Sequence, residues 1–90
     1  MTDDRVLALM WEARAVPGRG AELLEWARAQ DVGGEPLRRE TFRASGDRVL
    51  VITWWRTTGE DGGPPQLPEP PAELVSRPVH RWSFESLGTG

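Results

Sequence analysis

The chain has 90 residues with a formal charge of −3 at pH 7, which argues against a protein that binds the phosphate backbone of nucleic acids. A single domain of this length has a thin core, because folding buries only about 60% of the surface that the unfolded chain exposes. The absence of cysteine and the presence of one histidine exclude a disulfide framework, cysteine catalysis and a metal site built on thiolates or several histidines.

The chain lacks the apolar segments that direct a protein to a membrane. Its longest unbroken apolar run, residues 6–11, is far shorter than a membrane span. The first residues show neither the cationic start nor the apolar stretch of a signal peptide. We therefore predict a cytoplasmic protein with no membrane partner and no nucleic-acid partner.

Residues 5–16 alternate in the manner of a β-strand. The odd-numbered face is the purer apolar one, so we assign it to a core packed under a helix. The even-numbered face carries Glu12 and Arg14, and we assign it to a cleft or a dimer seam. Pro17 and the glycines after it end the strand and open an amphipathic helix over residues 21–30.

Residues 48–56 are apolar on both alternating faces, which is typical of a strand covered on both sides. Before them, Gly46-Asp47 predicts a two-residue hairpin loop that joins this strand to residues 38–45. A loop of this length places Phe42 opposite Val51. It also places Arg39 opposite Trp54, in reach of a cation-π contact.

Residues 57–71 hold many prolines and glycines and no periodic apolar pattern, so we predict a loop. A short helix follows over residues 72–76, and residues 79–87 alternate as a strand with one buried face. We predict that residues 88–90 are a flexible tail. All 90 residues thus form one domain.

The resulting order of strand, helix, strand, strand, short helix and strand predicts an α+β fold, the ferredoxin-like βαββαβ arrangement with a four-stranded antiparallel sheet. Right-handed crossovers put the first and third strands in the middle of that sheet. One helix and a short second helix cover a single face, so a second copy must cover the other. We therefore predict a homodimer through an uncovered face made of Val49, Val51, Trp55, Phe42, Met10 and Val6.

Two segments carry a resemblance to a known family. Residues 15–25 read AVPGRGAELLE, a strand end followed by a Pro/Gly turn and an acidic helix, and residues 51–55 read VITWW, a third strand that ends on tryptophan. These segments resemble the dimeric α/β-barrel superfamily, most specifically its antibiotic-biosynthesis-monooxygenase-like branch. The resemblance implies homodimers whose sheets face each other around paired clefts. Some members oxidise polycyclic aromatics without metal or flavin.

The resemblance also implies site residues. The family's pocket tryptophan at the end of the third strand matches Trp55. The first-strand asparagine of the haem-degrading relatives has no counterpart, since Trp11 and Glu12 occupy the nearby positions. Their haem-ligating histidine lies in the second helix, which is short here, whereas His80 begins the last strand. We therefore expect no haem and no other cofactor.

Glu12 and Glu40 are the candidate catalytic residues, because both are predicted to project from the cleft face. A carboxylate beside Trp55 could remove a proton from a phenolic or enolisable substrate while Arg14 or Arg38 holds the oxyanion. The alternative is a pair of Glu-Arg bridges that pin the dimer seam. The predicted ligand-binding residues are Trp55, Met10, Arg14, Arg38, Phe42, Thr53 and His80, with a hydrogen-bonded core or edge role as the alternative for the histidine.

Two functions stay open at this point. The first is a homodimeric barrel that binds a flat, hydrophobic aromatic metabolite, with cofactor-independent oxygenation as its enzymatic form. The second is a non-catalytic dimer that serves only assembly or a protein partner. Whether the protein is an enzyme does not follow from its sequence, and the residues indicate no metal site.

Overall fold

A computed structural model describes residues 5–57 and 63–89. The four strands of this part form one antiparallel sheet in the order β2-β3-β1-β4, with a single α-helix, so the predicted α+β class and the central position of β1 and β3 are confirmed. The arrangement is compatible with a small ferredoxin-like fold. The elements are β1 (Arg5–Arg14), α1 (Gly20–Ala29), β2 (Arg38–Ala44), β3 (Arg48–Thr57), a 3-10 turn (Ala72–Leu74) and β4 (His80–Ser86).

The core lies between α1 and one face of the sheet. Leu23 and Ala27 of α1 are fully buried, and Ala13 lies beneath them on β1. Val49 and Val51 of β3 belong to the same cluster. The odd-numbered face of β1 is therefore covered by the helix, as its apolar pattern predicts.

Two arginines hold the ends of α1. The Arg19 guanidinium hydrogen-bonds the Glu22 carboxylate, which lowers the pKa of Glu22, and it also donates to the Glu73 carbonyl at 3.1 Å. At the other end, Arg39 of β2 donates to the carbonyls of Gln30 and Ala27 at 2.6 and 2.8 Å. These carbonyls lie at the negative end of the helix dipole, where a cation is stabilising.

A proline-rich segment takes the place of a long second helix. The predicted helix over residues 72–76 is only the 3-10 turn. Leu67 is 3% exposed and belongs to the core, and the Trp11 indole donates to the Pro68 carbonyl at 3.3 Å. The described part of the loop predicted over residues 57–71 thus packs against the core beside α1. Residues 58–62 of that loop and residue 90 of the predicted tail lie outside the described residues.

The register of the β2-β3 hairpin differs by one residue from the prediction. The loop spans residues 45–47, with positive φ at Gly46 and Asp47, and Phe42 pairs with Leu50 instead of Val51. The Asp47 carbonyl accepts a 2.8 Å hydrogen bond from the Ala15 amide. The loop geometry is thus linked to the turn after β1, a contact that the hairpin sequence does not encode.

The assignment of β3 to its faces was wrong as well. Trp11 of β1 pairs with Val51, so the odd-numbered residues Val49, Val51 and Trp55 lie under the helix and are buried. The even-numbered residues of β3 occupy the open face instead. Because both faces of β3 are apolar, its own pattern could not distinguish them, and only the pairing with β1 does.

The shifted register also changes the predicted cation-π contact. Arg38, not Arg39, pairs with Trp54, and its guanidinium carbon lies 5.3 Å from the centroid of that ring. Arg39 is on the helix side, where it holds the end of α1. For Phe42, the wrong register and the wrong face assignment of β3 compensate each other. It lies on the uncovered face as predicted, but it pairs with Leu50.

Candidate functional site

The face of the sheet opposite α1 is the candidate site, and we call it the open face. Directly paired residues point to the same side of a sheet, so the pairing identifies its members. In the described ranges, α1 packs on the other side, and large aromatic side chains on the open face stay accessible: Phe42 is 36%, Trp82 44% and Phe84 51% exposed. The apolar members of the face are Val6, Ala8, Met10, Leu50, Ile52, Trp54, Phe42, Trp82 and Phe84.

A buried carboxylate lies at one end of the open face. Glu12 is 5% exposed, and its Oε1 accepts a 2.7 Å hydrogen bond from Arg77. Arg48 Nη1 lies 3.6 Å from Oε2, and His80 Nδ1 lies 3.6 Å from Oε1. Three segments supply these groups: Arg48 begins β3, His80 begins β4 opposite Glu12, and Arg77 precedes β4. We call these four residues the Glu12 cluster.

The second predicted catalytic carboxylate is far from the first. Glu40 lies on β2, where it pairs with Ile52 of β3 and forms a 2.5 Å ion pair with Arg38. Glu40 is two strand spacings across the sheet and two residues along it from Glu12. These offsets put the Cα atoms of the two glutamates about 12 Å apart. The two carboxylates share a face, as predicted, but cannot act on the same atom of a small substrate within one chain.

The other predicted site residues divide between the two faces. The pairing places Met10, Arg14, Arg38, Phe42 and His80 on the open face together with the two glutamates.

Thr53 and Trp55 lie on the helix side instead. The Trp55 indole donates to Thr53 Oγ1 at 2.9 Å and is buried. Its ring packs so closely against Gly34 that a Cβ atom at that position would lie 3.1 Å from the ring. Trp55 is thus a core residue in this chain and does not reach the open face.

Sequence reasoning missed several residues of the site. Trp82 and Phe84 share a face with His80 in the alternation of β4, and the pairing of β4 with β1 puts them beside Met10 and Ala8. The alternation was visible in the sequence, but it does not say which strand β4 joins. Arg77 lies in a connecting segment without periodicity, and no pattern in the sequence points to its contact with Glu12.

The concavities near the site are shallow and open to solvent. One of about 400 Å³ lies over residues 79–82, and one of about 480 Å³ lies beside Arg77 and Pro78. Both are large enough for a small ligand, but neither encloses one. A closed binding cavity at this face therefore needs a second surface above it.

Metal clusters and membrane-spanning helices are both absent from the described part of the chain. Within residues 5–57 and 63–89, no group of three or more His, Cys, Asp or Glu side chains is placed to hold a metal ion. Over the same ranges, no helix has the length and hydropathy needed to cross a bilayer.

The chain was also compared with known proteins. No protein-family model, curated protein or solved structure matches it.

Proposed function

We propose that this protein is a homodimer in which two open faces pack against each other, and that the space between the sheets binds a flat, hydrophobic metabolite. The observation that carries the proposal is the open face itself. It holds three accessible aromatic side chains on one side of a sheet whose other side packs against α1. Water-exposed apolar surface of this kind is typical of a protein or ligand interface.

The size of the open face supports a sheet-to-sheet dimer. Four strands spaced about 4.8 Å apart, with seven residues at about 3.4 Å each, make a flat face of about 19 by 24 Å. Because side chains project from this flat face, its accessible area is larger than the product of these two lengths. It approaches the roughly 800 Å² per partner of a standard interface. The arrangement corresponds to the dimeric α/β barrel that the sequence resembles.

The placement of the aromatic groups supports a ligand between the sheets. Trp82 pairs with Met10, which in turn pairs with Ile52, so these three side chains form one continuous row. The ring of Trp82 also meets the His80 ring edge-on, with centroids 5.4 Å apart. A flat ligand stacked on this row would gain aromatic contacts that water cannot offer.

A second candidate function is a dimer without catalysis, and the Glu12 cluster favours it over an enzyme. The predicted base, Glu12, already accepts a 2.7 Å hydrogen bond from Arg77 of the same chain. A carboxylate held in this way is suited to pinning two segments together. Cofactor-independent oxygenation with Glu12 as base, and a cytoplasmic location, stay predictions from the sequence.

The proposal is tested by measuring mass and binding together. Light scattering gives the molar mass in dilute solution, and equilibrium dialysis with 2-naphthamide, a flat neutral probe, gives binding. We expect a dimer that binds the probe, with weaker binding in Trp82→Ala. Trp26→Phe is the matched control, because Trp26 packs against the core on the helix side. A monomer would refute the assembly, and a dimer that does not bind the probe would favour the non-catalytic module.

A further inference from the structure

Two arginines face each other at one end of the open face. Arg14 ends β1, Arg48 begins β3, and the two are directly paired across the strands. Like charges in this position repel each other. We propose that this pair receives the carboxylate of the ligand, so that the metabolite bound between the sheets is a flat aromatic acid. The inference rests on the proposed function and adds the charge of the ligand to it.

The charges around the pair are not balanced within the described chain. The one carboxylate of the Glu12 cluster accepts a 2.7 Å hydrogen bond from Arg77. Arg48 Nη1 remains 3.6 Å from that carboxylate, longer than a hydrogen bond, while Arg48 Nε donates to the Ser45 carbonyl at 2.9 Å. The terminal nitrogens of Arg48 thus keep unused donors.

Arg14 contributes a second unused cation. In the described ranges its side chain has no hydrogen bond or ion pair, although its carbonyl accepts from Ser76. The nearby Asp47 forms no ion pair with Arg14 in the described ranges, and its carboxylate accepts a 3.3 Å hydrogen bond from the Gly18 amide. This end of the open face is therefore cationic, although the whole chain is acidic.

The apolar part of the face begins next to the cation pair. Leu50 follows Arg48 by two residues on the same side of β3, about 7 Å along the strand. Phe42 pairs with Leu50 and is accessible. A guanidinium binds a carboxylate through two parallel hydrogen bonds. An aromatic acid can therefore place its carboxylate on the pair and its rings over Leu50, next to the row that contains Ile52 and Met10.

The test compares two probes of the same shape and different charge. Equilibrium dialysis with 2-naphthoate and with 2-naphthamide gives two dissociation constants for the full chain. We expect the anion to bind at least about tenfold more tightly, because hydrogen bonds from a guanidinium to a charged carboxylate are stronger than those to a neutral amide. Added salt should reduce the affinity for naphthoate and leave that for naphthamide nearly unchanged.

Variants assign the preference to the pair. Arg48→Gln should remove most of the preference for the anion, and Arg14→Gln should reduce it; the second variant loses no side-chain hydrogen bond or ion pair within the described chain. Arg43→Gln is the matched control, because Arg43 lies in the same hairpin but pairs with Val49 on the helix side.

The outcomes separate the two proposals. Equal affinity for both probes would overturn the acidic ligand and leave the proposed binding function intact. Failure of both probes to bind would overturn both proposals. A preference for naphthoate that survives in Arg48→Gln and Arg14→Gln, or that falls equally in Arg43→Gln, would also refute the role of this pair.

Discussion

A negative charge at the centre of the open face should prevent the proposed dimer from forming. Ile52 lies on the central strand β3, between Glu40 and Met10 in the same row, and it is only partly buried in a single chain. In Ile52→Glu, the new carboxylate is in contact with water as long as the chain is alone. It becomes buried only when a second sheet covers the face.

The magnitude follows from this burial and from symmetry. An unpaired charge in a protein interior costs about 3 to 5 kcal/mol. A two-fold dimer buries the substituted residue once per subunit, so the dimer loses about 6 kcal/mol or more. That loss raises the dissociation constant by about 10⁴-fold. The neighbouring Glu40 adds repulsion of the same sign.

Sedimentation velocity over a wide concentration range measures this effect. We expect a dimer for the wild-type chain and a monomer for Ile52→Glu at every accessible concentration. Ser83→Glu is the control, because Ser83 is exposed on β4 and pairs with Leu9 on the helix side. It should stay dimeric. Thermal melting of both variants checks that each chain still folds.

Two results would refute the reasoning. A monomeric wild-type chain would show that the open face stays in water, and the proposed inter-sheet site would then not exist. A folded Ile52→Glu that keeps the wild-type dissociation constant would show that the dimer forms through a different surface.

Three further predictions concern the groups that hold the fold and the site. Arg39→Gln removes two charge-assisted hydrogen bonds from the end of α1 and should lower the free energy of unfolding by about 2 kcal/mol in urea titration, whereas Arg28→Gln on the exposed side of the same helix should change it by less than about 0.5 kcal/mol. Leu67→Ala should cost about 2 to 4 kcal/mol, because this side chain is buried in the core; a loss no larger than that of the exposed Leu37→Ala would refute the packed proline-rich segment. Glu12→Gln leaves Arg77 without its charged partner and should destabilise the fold by about 1 to 3 kcal/mol, as measured by thermal melting. An unchanged melting temperature together with lost turnover of an aromatic substrate would contradict a purely structural role for Glu12 and support a catalytic one.

The four strands, the helix α1 and their order could be predicted from the sequence because their signals are local, whereas the predicted second helix is only a 3-10 turn. Alternation over residues 5–16 and 79–87 predicts β1 and β4, and the helical spacing after Pro17 predicts α1. The rule that crossovers are right-handed then places β1 and β3 in the centre of the sheet, as observed. The surplus of apolar sheet surface over helix surface is likewise a property of the sequence.

Which side of the sheet each residue of the β2-β3 hairpin occupies could not be predicted in the same way. Its strand β3 is apolar on both sides, so shifting the register by one residue leaves the hydrophobic pattern nearly unchanged. The choice depends on pairing with β1 and on the hydrogen bond between the Ala15 amide and the Asp47 carbonyl. For this reason Trp55 lies in the core and Trp54 on the open face, opposite to the prediction.

The sequence alone thus determined the four strands, the helix α1 and the presence of an apolar face that one helix cannot cover, since each of these depends on residues near one another in the chain. Only the tertiary structure decided which side chains form that face and which cations surround Glu12. Arg77 lies 65 positions from Glu12 and meets it because β4 pairs with β1. Contacts across such distances depend on strand register, and no short stretch of sequence specifies it.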